Sequence, residues 1–171
     1  MTESDFISEL EREQGYLEKA SLALMGNQSD AEDAFQEACL RAFVSREQLQ
    51  GGTASFRPWM KRILLNVCLR NIEKRRRVIP LGLRSEVLPE ETTSHDELGA
   101  VWSNVRTLNP ALRETIVLRY VFDLSQEQVS EQMKVPLGTV KSRINRALEQ
   151  LRAEFAAQGE EDNEDESRAG L

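Results

Sequence analysis

The sequence predicts an all-α protein of two small helical domains joined by a flexible linker, the C-terminal one containing a helix-turn-helix. Three observations carry that prediction. Apolar residues recur at three- and four-residue spacing through most of the chain. Ser29 with Glu32, Ser94 with Glu97 and Ser125 with Gln128 each make the pattern of a capping box that starts a helix. Residues 80–93 carry Pro80, Gly82 and Pro89 and keep neither helical nor strand periodicity, which marks a linker.

In the first domain, residues 4–25 fit a helix with Phe6, Leu10, Leu17 and Leu24 approximately on one side, ended by Gly26 and Asn27. A second helix follows the Ser29 cap with an inner stripe of Ala31, Phe35, Ala38, Ala42 and Phe43, while Asp33, Gln36 and Glu37 point outward. Charge pattern alone makes that outward face a solvated one. Gly51 and Gly52 break the pattern. From Phe56 a long amphipathic helix runs through Trp59, Ile63 and Val67 to Arg75, Arg76 and Arg77, with Arg62, Asn66 and Arg70 four apart on another side. Phe56 and Trp59 are expected in the core of this three-helix unit, which spans residues 1–79.

Beyond the linker, Leu98, Val101, Trp102, Val105 and Leu108 form the apolar stripe of a helix capped by Ser94. Asn109 and Pro110 start the next, in which Leu112, Ile116, Arg119 and Tyr120 share a side. Ser125 and Gln128 then cap a short helix, bracketed by Leu124 and Val129 as a hydrophobic staple. Its spacing breaks at Lys134 and Val135, and Pro136 suits the first turn of a helix rather than its interior, so a final helix begins there. Val140, Ile144, Ala147, Leu148 and Leu151 make its buried stripe. Opposite stand Thr139, Ser142, Asn145 and Arg146, with Lys141 and Arg143 on the shoulders. Two helices across a tight turn, the second presenting short polar and basic side chains, are the layout of a helix-turn-helix that reads a DNA major groove. A surface helix with a solvated charged face is the blander alternative. The domain is expected over residues 94–157. The following EEDNEDES, with nothing apolar to bury, is expected to be a disordered acidic tail over 158–171.

Composition bounds the function. A chain of 171 residues, 30% charged and 40% hydrophobic, suits one or two small soluble domains rather than a disordered protein. No run of about 18 apolar residues and no charged-then-apolar leader is present, so a cytoplasmic protein without membrane insertion is expected. Cys39 and Cys68 read as buried thiols; with His95 they are too few for a zinc site, and no metal or cofactor is expected. The net charge of −7 is unevenly spread: residues 1–80 balance twelve basic against twelve acidic, whereas 156–171 hold one against six. Residues 61–77 hold seven basic residues against Glu73 alone, a local patch of the kind phosphates attract.

The order DAEDAFQEACLRAF, FRPWMKRILLNVCLRNIEKRRR, a variable linker, LNPALRETIVLRYVFDLSQEQVSEQM and VPLGTVKSRINRALEQLR resembles the extracytoplasmic-function (ECF) class of bacterial sigma factors. The likeness covers nearly the whole chain except the tail. It implies a protein that is not an enzyme and that partners core RNA polymerase (the β′ clamp helices and β flap), promoter DNA and an anti-sigma factor. It further implies that residues 1–79 bind core polymerase and recognise and melt the minus-10 element, and that 94–157 recognise the minus-35 element. Residue by residue, the resemblance assigns Asp33, Gln36 and Glu37 to the β′ clamp helices, overriding the solvated reading. Arg62, Asn66 and Arg70, with the glycine loop before Phe56 and the run Arg75, Arg76 and Arg77, go to the minus-10 strand. Lys141, Ser142, Asn145 and Arg146 go to minus-35 bases and phosphates, Thr139 and Arg143 completing the face.

Family members often carry an aromatic residue where Gln50 stands, and Gly, Asn or Asp where Lys134 stands. A left-handed backbone there costs Lys roughly 1 kcal/mol, so a slightly altered turn is expected. Two other classes fit parts of the chain. A conventional helix-turn-helix regulator explains residues 108–155 but not a separate basic and acidic domain. A sigma-like decoy that captures an anti-sigma factor explains the fold, but has no need of Lys141, Arg143, Arg146 and the arginine run.

Overall fold

The computed structural model describes residues 1–78 and 97–169, with side-chain placement for 1–78, 99 and 101–158. The expected linker at 80–93 and the Ser94 cap lie outside the described residues. Among those described there is no strand. The chain divides into two compact units, Met1–Glu90 and Glu91–Leu171.

The first unit contains α1 (Glu3–Met25), α2 (Gln28–Ser45) and α3 (Phe56–Val78). A capping box of Thr2 and Asp5 starts α1, and Gly26 ends it in the left-handed region at φ 81°, a conformation that glycine adopts without steric cost. The cap of α2 is Asn27 rather than the expected Ser29. Its side-chain oxygen accepts from the Asp30 amide at 2.9 Å, so the extended residue directly after Gly26 is already the helix start and Ser29 falls inside the first turn.

Small residues Ala31, Ala34, Ala38 and Ala42 are buried along α2, which lets its backbone approach its neighbours closely. Phe6 ties the unit together. Its ring meets Phe43 of α2 edge-on at 5.5 Å and Phe56 of α3 at 5.6 Å. From α3, Phe56, Met60, Leu64, Val67 and Cys68 complete the core, each large apolar side chain adding about 1.5–3 kcal/mol by burial. Trp59, expected in the core, is only half-buried beside Phe56, because the buried stripe of α3 runs from Phe56 through Met60 and Leu64 and leaves Trp59 at its edge.

The second unit contains α4 (Glu97–Thr107), α5 (Pro110–Ile116), α6 (Gln126–Met133) and α7 (Leu137–Ala169). The apolar face of α4 is turned relative to expectation. Val101 is exposed, whereas Asn104 is buried at 3% exposure and exchanges two hydrogen bonds with Gln158 of α7, at 3.2 and 3.0 Å. Asn109 caps α5 ahead of Pro110, as the sequence indicates. A π turn, Val117–Val121, then closes through the Phe122 amide to the Val117 carbonyl at 3.1 Å. The wider turn rotates the chain, so Leu112 and Ile116 are buried while Arg119 is half-buried and Tyr120 exposed, off the side they were expected to share.

Helix α7 runs for 33 residues to Ala169, through the segment expected to be disordered from 158. Propagating an existing helix is far easier than nucleating one, and residues 158–169 contain no proline and Gly159 alone as a weak position.

Candidate nucleic-acid interface and docking face

The helix-turn-helix is built from caps outward. Ser125 Oγ accepts from the Gln128 amide at 3.1 Å while Gln128 accepts from the Ser125 amide at 2.8 Å, a reciprocal box that satisfies two otherwise orphaned donors. At the other end of α6, Lys134 takes φ 55° and ψ 43°. The turn thus keeps its left-handed residue despite the lysine. The Ser130 hydroxyl donates to the Val135 carbonyl at 2.6 Å, and the Pro136 carbonyl accepts the first amides of α7, from Thr139 at 2.9 Å and Val140 at 3.2 Å.

Val140, Ile144 and Ala147 are buried against the unit, with Leu148 and Leu151 half-buried behind them. Opposite this stripe Lys141, Ser142, Asn145 and Arg146 are exposed, and Thr139 and Arg143 lie half-buried at the margins. The Ser142 hydroxyl donates to the Thr139 carbonyl at 3.0 Å. Two features had escaped sequence reasoning. Arg119, stacked over Tyr120 at 5.2 Å, joins Lys141 in adding positive potential around Glu127. The Glu127 carboxyl is held below the usual carboxylate range, first by hydrogen bonds from its own amide and the Ser125 hydroxyl, then by those two charges.

In the first unit, Asp33 and Gln36 are exposed on α2, and Glu37 is half-buried. Along the same side lie Leu40 and Val44, 69% and 81% exposed. On α3, Arg62 and Asn66 are exposed, whereas Arg70 turns toward α2 and pairs with Glu37. Glu37 also receives Arg41 at 2.9 Å. Arg75 pairs with Asp30 of α2 at 2.8 Å and reaches the Met25 carbonyl at 3.4 Å, and Arg77 pairs with Glu73 at 2.7 Å; Arg76 is exposed. Of the six α3 residues, Arg70, Arg75 and Arg77 thus pair with neighbouring carboxylates.

Before α3 the chain passes through Gly51 at φ 91° and Gly52 at φ 66°. At this positive φ any other residue is strained, and a Cβ on Gly51 would lie 2.4 Å from Ser55 Oγ, so the Ser55 side chain would have to turn aside. The start of α3 is anchored by Arg57, which pairs with Glu13 at 2.5 Å and covers the Tyr16 ring. Glu13 is 3% exposed, a buried carboxylate that the amphipathic pattern of α1 does not announce.

Comparison with known proteins follows the same division. Residues 10–78 match Sigma-70 region 2, and residues 105–153 match Sigma-70, region 4. The ECF RNA polymerase sigma factor SigE of Mycolicibacterium smegmatis is 38% identical over 152 residues, 81% of this chain; the match spans 56% of that relative's own length. The ECF RNA polymerase sigma factor SigW of Bacillus subtilis is 31% identical over 148 residues, 77% of this chain and 79% of its own. Among solved structures, the sigma factor RpoE, crystallised with the anti-sigma factor NepR from Bartonella quintana, shares the fold with a TM-score of 0.61. That alignment covers 89% of this chain and 97% of the other, at 24% identity. With both sigma-70 regions present in order, and relatives matching most of its length, the chain belongs to the ECF RNA polymerase sigma factors.

Proposed function

We propose that this sigma factor binds core RNA polymerase through the α2 face of Asp33, Gln36 and Glu37 and directs promoter-specific initiation with two DNA-reading surfaces. Arg62, Asn66 and Arg70, with Arg75, Arg76, Arg77 and the glycine loop, take the minus-10 strand. A melted base needs a stacking surface and polar groups for its edge, and the half-buried Trp59 and the exposed polar side of α3 offer both. Thr139, Lys141, Ser142, Arg143, Asn145 and Arg146 take the minus-35 element. The protein acts in the cytoplasm, as a non-enzymatic factor under the control of an anti-sigma factor, and its partners on the polymerase are the β′ clamp helices and the β flap.

The observation that carries this reading is the α7 face: Val140, Ile144 and Ala147 buried, Lys141, Ser142, Asn145 and Arg146 open, behind a fully formed capped turn. A decoy needs none of those exposed cations. No helix among the described residues is long and apolar enough to cross a membrane. Run-off transcription on genomic fragments with purified core polymerase tests the proposal. Transcripts that require the added protein, and whose starts share upstream hexamers at minus-35 and minus-10 spacing, support it; none above the core-only background overturns it.

A further inference from the structure

Helix α6 ends on Met133, whose sulfur ties it to α5: Thr115 Oγ1 lies 3.3 Å from Met133 Sδ. Thr115 is fully buried, and its hydroxyl also reaches the Ala111 carbonyl at 2.7 Å. One hydroxyl hydrogen thus serves a carbonyl and a thioether, and the carbonyl, the stronger acceptor, holds most of it. The next residue is Lys134, held in the left-handed region at φ 55°, so the contact lies directly before the turn of the helix-turn-helix. Met25 and Met60 are buried, and Met1 begins the chain in the other unit, whereas Met133 is half-buried. A small oxidant can therefore reach Met133 in the folded domain, at a position where packing sets the turn.

We propose that Met133 is a site of reversible oxidation by peroxide, and that its oxidation weakens minus-35 binding by unseating the end of α6 from α5. The inference rests on the reading of α7 as the minus-35 surface and adds a modification that controls it. In the step, Sδ attacks one oxygen of hydrogen peroxide, the O–O bond breaks, and the proton of the transferred hydroxyl joins the departing hydroxide as water. Sulfur loses two electrons and the peroxide gains them. The product is a polar sulfoxide in place of a flexible apolar side chain. Its oxygen meets a hydroxyl whose hydrogen is already given to Ala111, so the sulfoxide either draws that hydrogen away or swings to water and pulls Met133 out of the seam. Both disturb the residue that precedes Lys134, while the polar side chains of α7 stay chemically unchanged.

The test treats the full chain with hydrogen peroxide and then with dithiothreitol, which returns sulfenic acids and disulfides of Cys39 and Cys68 to thiols but leaves a sulfoxide in place. Peptide mass spectrometry locates the added oxygen. Anisotropy on a duplex carrying the minus-35 element mapped by run-off transcription, and on a random duplex, reads binding. Sulfoxide is expected at Met133 before Met25 and Met60, with severalfold weaker binding to the promoter duplex that methionine sulfoxide reductases of both epimer specificities restore. Met133→Leu keeps the volume without the sulfur, so it should bind as untreated wild type does and lose nothing on treatment. If Met25 and Met60 oxidise before Met133, if binding is unchanged once Met133 is oxidised, if the reductases do not restore it, or if Met133→Leu loses as much, the switch is overturned while the α7 reading stands. If the untreated protein does not prefer the promoter duplex to the random one, the α7 reading falls, and the switch with it.

Discussion

The hydroxyl of Ser130 donates to the carbonyl of Val135 at 2.6 Å, bridging a turn whose middle residue, Lys134, is held in the left-handed region. This bond closes the helix-turn-helix around a residue poorly suited to its backbone. Ser130→Ala leaves the half-buried Val135 carbonyl unsatisfied and is expected to cost about 1 kcal/mol. Lys134→Asn is expected to gain about 0.5 kcal/mol, since Asn enters this region more readily. Urea unfolding followed through Trp102 in a Trp59→Phe background checks both.

Gly51→Ala combines a positive φ with a Cβ placed 2.4 Å from Ser55 Oγ. The Ser55 side chain can turn aside, but the backbone strain stays, so a loss of about 1–2 kcal/mol is expected in the first unit. The loop leads into α3, so binding of single-stranded DNA should weaken too. Thermal unfolding and strand-binding titrations of the same variant read the two effects.

How far the sequence reached depends on the range of the interaction. The Ser125–Gln128 box, the Gly26 terminus and the Val140, Ile144, Ala147 stripe were legible, because each is set within about four residues by hydrogen-bond geometry or helical period. The Asn27 cap was missed because two capping residues compete within three positions. The Glu37–Arg70 pair spans 33 residues and joins two faces that periodicity marks only as polar, and the buried Glu13 is hidden for the same reason. Lys134 shows the opposite case: the turn geometry prevailed over the residue's own preference. Family resemblance, rather than charge pattern, assigned the α2 face a docking role, since Asp33 and Gln36 look the same in either use.

Arg146 lies near the centre of the exposed α7 face and Lys141 on its shoulder, near Glu127. Arg146→Ala is expected to cost ~1–3 kcal/mol on a cognate minus-35 duplex and to relax specificity at one base pair. Lys141→Ala should weaken all duplexes alike and lower the salt slope by about one. Anisotropy titrations on cognate and random duplexes across a salt series separate the two; equal loss on both duplexes for Arg146→Ala contradicts the distinction.

Burial pushes the thiols of Cys68 and Cys39 up to about 11, with Glu18 adding to the effect at Cys39. Below the ordinary thiol range, near pH 8.5, folded and unfolded chains both keep these protons and the contribution is complete. From there to about pH 11 the unfolded chain ionises first, so stability is expected to fall with rising pH. Cys68→Ala should unfold more easily at pH 7, through lost packing, yet show a shallower decline above pH 8.5, as denaturation curves at several pH values would reveal.

The α2 face is where polymerase and sigma must meet if the account is right, and charge reversal there addresses it directly. The measurement is the affinity of the Asp33→Lys, Glu37→Lys double variant for purified core polymerase, with circular dichroism as the check on folding. The account predicts unchanged helicity, an affinity lower by roughly tenfold or more, as loss of central contact residues produces, and a matching loss of run-off transcript that excess variant restores. A double variant that is folded and binds core polymerase as tightly as the wild type contradicts it.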